Sequence, residues 1–253
     1  MVCKYYKLLY YNLNCDVMRA IGVIGFKKSG KTTIIREILK KLMDKNVKVA
    51  TIKHSFENAE IDKKDTDSYL FKEYAEVSVL STDDKTAFYY NGMSLHEILS
   101  KLELEYEYVI IEGFKEQLKE LNIPKIAMIK DDEGLELVDS HTILAINDYQ
   151  YDIDEIMQLV AEKSIIPSYN LNCGHCGFNC KLFVEEVIKN NIKWNACVMQ
   201  SGVKLNVNGK TIPMNPFVAN IIKNVLKGVV ESLKDTGAPK NISISIADID
   251  KVK

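Results

Sequence analysis

"GFKKSGKT" occupies residues 25–32, and its reading decides the fold. Gly25, Gly30, Lys31 and Thr32 satisfy the pattern G-x-x-x-x-G-K-[S/T], which is informative only when a strand precedes it and a helix follows. Both flanks are present. "AIGVIGF" (20–26) is a short apolar run carrying its own glycines, and "TTIIREILKKLMDKN" (32–46) repeats apolar residues at helical spacing before a turn. Strand, loop and helix in that order predict a phosphate-binding loop. Backbone N–H groups of residues 28–32 can converge on a β-phosphate, and the helix N-terminus adds partial positive charge. Lys31 then reaches the β- and γ-phosphates, and the Thr32 hydroxyl joins the shell of a Mg2+ ion.

Working outward, "VKVATIKH" (47–54) reads as a second strand followed by the polar loop "SFENAEIDKKDTD". "SYLFKEYA" and "SLHEILSKL" read as helices, with strands at "EVSVLST" and "TAFYYN" between them. "YEYVIIEGF" (106–114) is a buried central strand, "PKIAMIK" and "HTILAIND" are two more, and "DIDEIMQLVAEK" is a helix. Strands alternating with helices imply right-handed crossovers, so residues 18–165 are expected to form a doubly wound, mostly parallel α/β domain.

After "SIIPSYNLN" the pattern changes to a cysteine cluster, an amphipathic helix "KLFVEEVIKNN", a hairpin with Asn-Gly at its turn, a long helix from "PFVAN" and the alternating "NISISIADI". Residues 166–253 are expected to form a second, small α+β domain with its own thin core, which a metal would staple.

The chain has 253 residues, 47% of them hydrophobic and 27% charged, a composition that excludes disordered and fibrous classes. A net charge of -2 supplies no general basic field for nucleic acid. No apolar run reaches the roughly 18–20 residues that span a bilayer, so a cytoplasmic protein without a membrane partner is expected. Residues 1–17 read as an unstructured leader before Met18.

Glu112 ends the strand "YVIIE", where a P-loop protein places the acid that holds Mg2+ or orients an attacking water, so Lys31 and Glu112 are the catalytic candidates. Lys53 and His54 also lie at the carboxyl end of a strand, the side on which open α/β sheets bind ligands. Asp65, Thr66 and Asp67 sit in the following loop, in reach of a γ-phosphate and its metal. The Asn-Lys-x-Asp signature of guanine readers is absent, and "INDY" supplies only Asn147 and Asp148, so the residues leave GTP and ATP both open.

Cys173-x2-Cys176-x3-Cys180, followed by Cys197, offers four thiolates for a tetrahedral zinc ion or a [4Fe-4S] cluster, and spacing does not choose between them. "NCGHCGFNCKLFVEEV" resembles small four-cysteine iron–sulfur domains, with its third cysteine one residue early. His175 is expected to point outward, and Trp194 reads as a core anchor.

Together, "GFKKSGKTTIIREILKKL", "VKVATIKH", "IDKKDTDSYLFKEYAEVSVLS", "YVIIEGFKEQ" and "IPKIAMIK" resemble the molybdopterin-guanine dinucleotide biosynthesis protein B (MobB) family across about residues 20–150. The resemblance implies a GTP-binding, weakly GTP-hydrolysing accessory, usually a homodimer, similar in fold to metallocentre-assembly GTPases. It implies as partner the molybdopterin guanylyltransferase, and the C-terminal cysteine module would sense redox state or dock a molybdenum or tungsten enzyme. Carried over by position, Gly25, Lys28, Ser29, Gly30, Lys31, Thr32 and Thr33 bind phosphates. Lys53, His54, Asp65 and Asp67 lie near the nucleotide or cofactor, and Glu112 with Lys115 forms the metal-side box. The family often has further histidines after its Lys-His pair, where this chain has "SFENAE". A small-molecule kinase would need an arginine-rich lid, and only Arg19 and Arg36 occur. The non-enzymatic alternative is a metal-bearing docking module switched by nucleotide.

Overall fold

An all-parallel sheet of five strands organises the molecule, with the strand that feeds the phosphate loop at its centre. The computed structural model describes residues 18–55, 64, 66–71, 74–103, 105–147, 150–165, 170–198, 202–207, 210–237, 242 and 244. In chain order these form β1 (Arg19–Gly25), α1 (Lys31–Met43), β2 (Val49–Lys53), α2 (Asp67–Phe71), β3 (Val77–Ser81), β4 (Thr86–Tyr90), α3 (Leu95–Leu102) and β5 (Tyr108–Glu112). There follow α4 (Lys115–Glu120), β6 (Lys125–Ile129), a 3-10 turn (Asp132–Leu137), β7 (Thr142–Asn147) and α5 (Ile153–Lys163). The remainder is α6 (Cys180–Ile188), a second 3-10 turn (Trp194–Ala196), β8 (Leu205–Val207), β9 (Lys210–Ile212) and α7 (Pro216–Glu231). Strand order is β2-β5-β1-β6-β7. The chain moves to one side of β1 for β2 and β5 and to the other for β6 and β7, so a switch point lies at the carboxyl end of β1.

Strand alternation divides the core in two, because successive side chains leave a strand on opposite faces. Ile21, Val23, Tyr108, Ile110, Ile126 and Met128 point to one face, where Ile34, Ile35, Ile38 and Leu42 of α1 and Ile156, Met157 and Val160 of α5 cover them. Ala20, Ile24, Val109, Ile111 and Ala127 point to the other, under Leu95 and Leu99 of α3 and Leu118 of α4. The α4 cover is close: a Cβ on Gly22 would meet Lys125 Cβ at 3.3 Å and overlap Leu118.

The second face is completed from beyond residue 165. Phe183, Val184 and Val187 of α6, with Trp194, join the cluster that holds Ala20, Ile24, Leu118 and Ile165. The expectation of separate cores therefore fails for residues 180–198. A parallel sheet is apolar on both faces, and α3 and the short α4 leave part of this one uncovered. At about 1.5–3 kcal/mol for each large apolar side chain buried, these four are a substantial share of that face. Lys163 Nζ donates to Val187 O at 2.8 Å and to Asn190 Oδ1, while Ser140 Oγ donates to Glu185 at 2.8 Å. By contrast α7 buries only Ala219 among its described residues, and Phe217, Ile221, Val225 and Val229 are exposed.

"EVSVLST" and "TAFYYN" do form strands, but β3 and β4 make an antiparallel hairpin apart from the main sheet. No helix among the described residues is long and apolar enough to cross a membrane. The leader at 1–17, the boundary at 166–169, Asp65, Asp148, the Asn208–Gly209 turn and most of "NISISIADI" lie outside the described residues.

Candidate functional site

The carboxyl end of β1 delivers the chain into a tight loop between Gly25 and the start of α1 at Lys31. Space explains the first glycine: a Cβ there would come within 2.8 Å of Met128 O and collide with Ser29 Oγ. Conformation explains the second, since Gly30 is left-handed at φ 86° and serves as the N-cap of α1. Lys28 is left-handed as well, and Ser29 is buried beneath the loop. Thr32 and Thr33 are exposed at the N-terminus of α1, where the Thr33 amide donates to Gly30 O at 3.0 Å. Lys31 folds its ammonium back over the loop, donating to Phe26 O at 2.6 Å and standing 3.5 Å from Ser29 Oγ.

Sheet register supplies the rest. Glu112 lies opposite Val23 on β1 and opposite Lys53 on β2, so three strand ends converge beside the loop. The Lys53 ammonium is 3.3 Å from the Glu112 carboxylate. Beyond Glu112 the chain turns through Gly113 at φ 88° and Phe114 at φ 53° before α4 begins at Lys115. Left-handed backbone at a buried phenylalanine is strained, as is common at ligand-binding turns. Phe114 stacks on His54 with ring centroids 4.4 Å apart, and His54 N donates to Glu112 O at 2.9 Å. Lys115 Nζ lies 4.3 Å over the Phe26 ring.

Lys31, Lys53, Lys115 and Glu112 form one electrostatic cluster, three ammonium groups against one carboxylate. Burial pushes the Lys31 ammonium below its ordinary pKa; Glu112 opposes that shift, and Lys53 and Lys115 add to it. A surplus of positive charge over a helix N-terminus suits a polyphosphate accompanied by a metal ion. Thr32 and Glu112 have the oxygen donors that a hard cation such as Mg2+ requires.

The structure thus brings together Gly25, Lys28, Ser29, Gly30, Lys31, Thr32, Thr33, Lys53, His54, Glu112 and Lys115. Asp67 stands exposed at the start of α2, which packs on β3. Two residues that sequence reasoning passed over are Phe26, whose carbonyl receives Lys31, and Phe114, which holds His54. Each follows a glycine at a strand end, and that repeated Gly-Phe was the available signal. Arg19 is buried at the opposite end of β1, donating from Nη1 to Ser164 O at 3.0 Å, and Arg36 lies exposed further along α1. Neither forms a cationic lid. A polar cavity of about 730 Å3, lined by Asn122, Asp139, His141 and Asn170 among others, lies under the amino ends of β6 and β7, away from the phosphate loop.

Cys173, Cys176, Cys180 and Cys197 are half-buried and joined by no disulfide. Left-handed Asn172, Gly174 and Gly177 curl the loop, closed by Gly177 N donating to Gly174 O at 2.9 Å. Asn172 brackets Cys180: its backbone N–H donates to Cys180 Sγ at 3.4 Å and its side chain accepts from Cys180 N at 2.9 Å. Cys176 and Cys197 pack against the shared core. Among the described residues, no three His, Cys, Asp or Glu side chains stand together as a metal site. Four thiol donors suit a thiolate-held metal by type and number, but in this structure they do not stand together as one.

The profile of a known family, molybdopterin guanine dinucleotide synthesis protein B, matches residues 20–148. A Methanocaldococcus jannaschii protein named as a molybdopterin-guanine dinucleotide biosynthesis adapter is 50% identical over 238 residues, 93% of this chain and 100% of its own. That similarity runs past the end of the family profile into the cysteine-bearing region. A Haemophilus influenzae adapter protein of the same name is 26% identical over 165 residues, 60% of this chain and 85% of its own. The crystal structure of Bacillus subtilis MobB is similar at 26% identity, covering 52% of this chain and 81% of that chain with a TM-score of 0.43. With a profile match that takes in the whole strand–loop–helix and the Glu112 turn, the chain belongs to the MobB family.

Proposed function

We propose that the chain is a GTP-binding adapter of molybdenum or tungsten cofactor biosynthesis, which assists the guanylyltransferase that converts molybdopterin into its guanine dinucleotide and itself hydrolyses GTP slowly. One observation carries the reading: Lys31, Lys53 and Glu112 converge from three elements on the loop between Gly25 and Gly30. Gly25 and Gly30 admit the phosphates to the backbone, amides from Lys28 to Thr32 bind them, and Lys31 leaves the Phe26 carbonyl for the β- and γ-oxygens. Mg2+ when bound neutralises phosphate charge, and Thr32 and Glu112 would hold it. Alternatively, Glu112 would orient the attacking water. With no arginine over the loop, turnover is slow.

Cys173, Cys176, Cys180 and Cys197 would hold a [4Fe-4S] cluster or Zn2+ once the loop closes on it. The exposed Val79, Leu80, Phe88 and Tyr90 of the β3–β4 hairpin support a homodimer. A second reading, a docking module switched by nucleotide, is favoured by the core that α6 shares with the nucleotide-binding sheet.

Titrating GTP and ATP separately onto wild type and Lys31→Ala tests the proposal. GTP is expected to bind more tightly than ATP, and Lys31→Ala to weaken it at least ~10-fold, since a hydrogen bond to a charged group contributes about 1.5–3 kcal/mol. Equal affinity of Lys31→Ala and wild type sinks the phosphate-loop assignment, and equal GTP and ATP affinities sink the guanine preference.

A further inference from the structure

The pairing of Lys53 with Glu112 has a function of its own. Both are the last residues of neighbouring parallel strands and face each other in register, with Nζ 3.3 Å from Oε1. The partners differ in freedom: the Glu112 side chain is 16% exposed and the Lys53 side chain 66%. The acid is therefore held in place by its surroundings, while the lysine is a solvated arm. Among the described residues that act on Lys31, Glu112 is the carboxylate, beside the cations Lys53 and Lys115. Left bare, it would repel the polyphosphate that the rest of the site is built to attract.

We infer that Lys53 acts as a resident stand-in for the divalent cation: it neutralises Glu112 while no metal is bound, yields that carboxylate when a divalent cation arrives with nucleotide, and then turns to the phosphates. The inference rests on the phosphate-loop reading of the site. A partly exposed lysine–carboxylate pair is weak and exchanges readily, whereas a divalent ion gains from Glu112 and the phosphates at once. Lys53 is well placed for the second task, since Arg19 is committed at the far end of β1 and Arg36 lies along α1. The consequence is a site that accepts nucleotide with or without metal and whose Lys53 changes role between the two states.

A fluorescent N-methylanthraniloyl-GTP titration, in EDTA and in Mg2+, with wild type, Lys53→Met, Lys53→Arg, Glu112→Gln and the Lys53→Met/Glu112→Gln pair, tests this. Lys53→Met is expected to weaken nucleotide roughly 10-fold more in EDTA than in Mg2+, about the effect of exposing one unpaired charge in a partly screened site. Lys53→Arg should restore the wild-type ratio, and in the Glu112→Gln background Lys53→Met should lose its extra effect in EDTA. Equal weakening of Lys53→Met with and without Mg2+ would make Lys53 a plain phosphate ligand and overturn the exchange. No change in either condition overturns it too. Failure of wild type to bind nucleotide in both conditions would instead remove the phosphate-loop reading, and the exchange with it.

Discussion

The indole Nε1 of Trp194 donates to the main-chain carbonyl of Glu162 at 2.9 Å, joining the segment that carries the cysteines to the last turn of α5. The ring also packs on Phe183 at 5.7 Å between centroids, inside the core that backs β1. Residues 180–198 come after the α/β layer in sequence and are part of it in space.

Trp194→Ala should destabilise the nucleotide domain itself by about 3–5 kcal/mol, the usual cost of emptying a buried tryptophan site. Urea unfolding followed by circular dichroism should show one transition moving as a unit. Two transitions, with only the weaker one shifted, would mean that the two segments fold independently. Ending the chain at residue 165 should be worse, since it uncovers the face lined by Ala20, Ile24 and Leu118. That fragment should bind a hydrophobic dye and lose nucleotide.

Gly113→Ala places a Cβ at 3.1 Å from His54 Cβ on backbone at φ 88°. The left-handed conformation alone costs roughly 1–2 kcal/mol for a residue with a Cβ. The turn between Glu112 and Lys115 should shift to relieve the contact, so nucleotide affinity should fall more than thermal stability does. A loss of stability with unchanged affinity would show that this turn does not position the site.

His141 is buried just before β7, and its Nε2 has no hydrogen-bond partner among the described residues. Burial holds its pKa below the ordinary histidine value; Asp139 and Glu185 work against that shift, and Lys125 and Lys181 reinforce it. Below about pH 6.5 the unfolded chain takes up a proton there that the folded chain resists, so stability falls as pH drops through that range and is fully present above it. Asp139 begins to contribute only lower. Burial raises its pKa, but the hydrogen bond and charge of Lys125 and the His141 amide outweigh this and leave it below the ordinary carboxylate value. Denaturation midpoints at about pH 7.5 and about pH 5.5 should differ in wild type and converge in His141→Gln. An equal acid loss in the variant would place the titrating group elsewhere.

If the four cysteines hold the proposed cluster rather than zinc, protein purified without oxygen is brown, with a broad band near ~400 nm and about four irons per chain. Cys180→Ala should abolish the colour. It should also lower the stability of the nucleotide domain, because Cys180 opens the helix whose Phe183, Val184 and Val187 back the sheet. A colourless protein with one zinc would make the site a structural staple.

Local patterns that report on themselves could be read from the chain alone. The glycines, lysine and threonine between Gly25 and Thr32 act through backbone freedom and short-range chemistry, so the phosphate loop, its flanking strand and helix, and the parallel α/β class were legible directly. Cys173, Cys176, Cys180 and Cys197 were legible as candidate thiolate donors, but among the described residues the structure brings no three metal-ligating side chains together. Three relationships belong to tertiary structure: that Lys53 meets Glu112, that Phe114 stacks on His54, and that α6 covers the sheet. Each depends on strand order and register, which bring together residues dozens of positions apart. An amphipathic helix such as "KLFVEEVIKNN" carries no mark of which face it will cover. That was decided by the apolar area that α3 and α4 leave open on one side of the sheet.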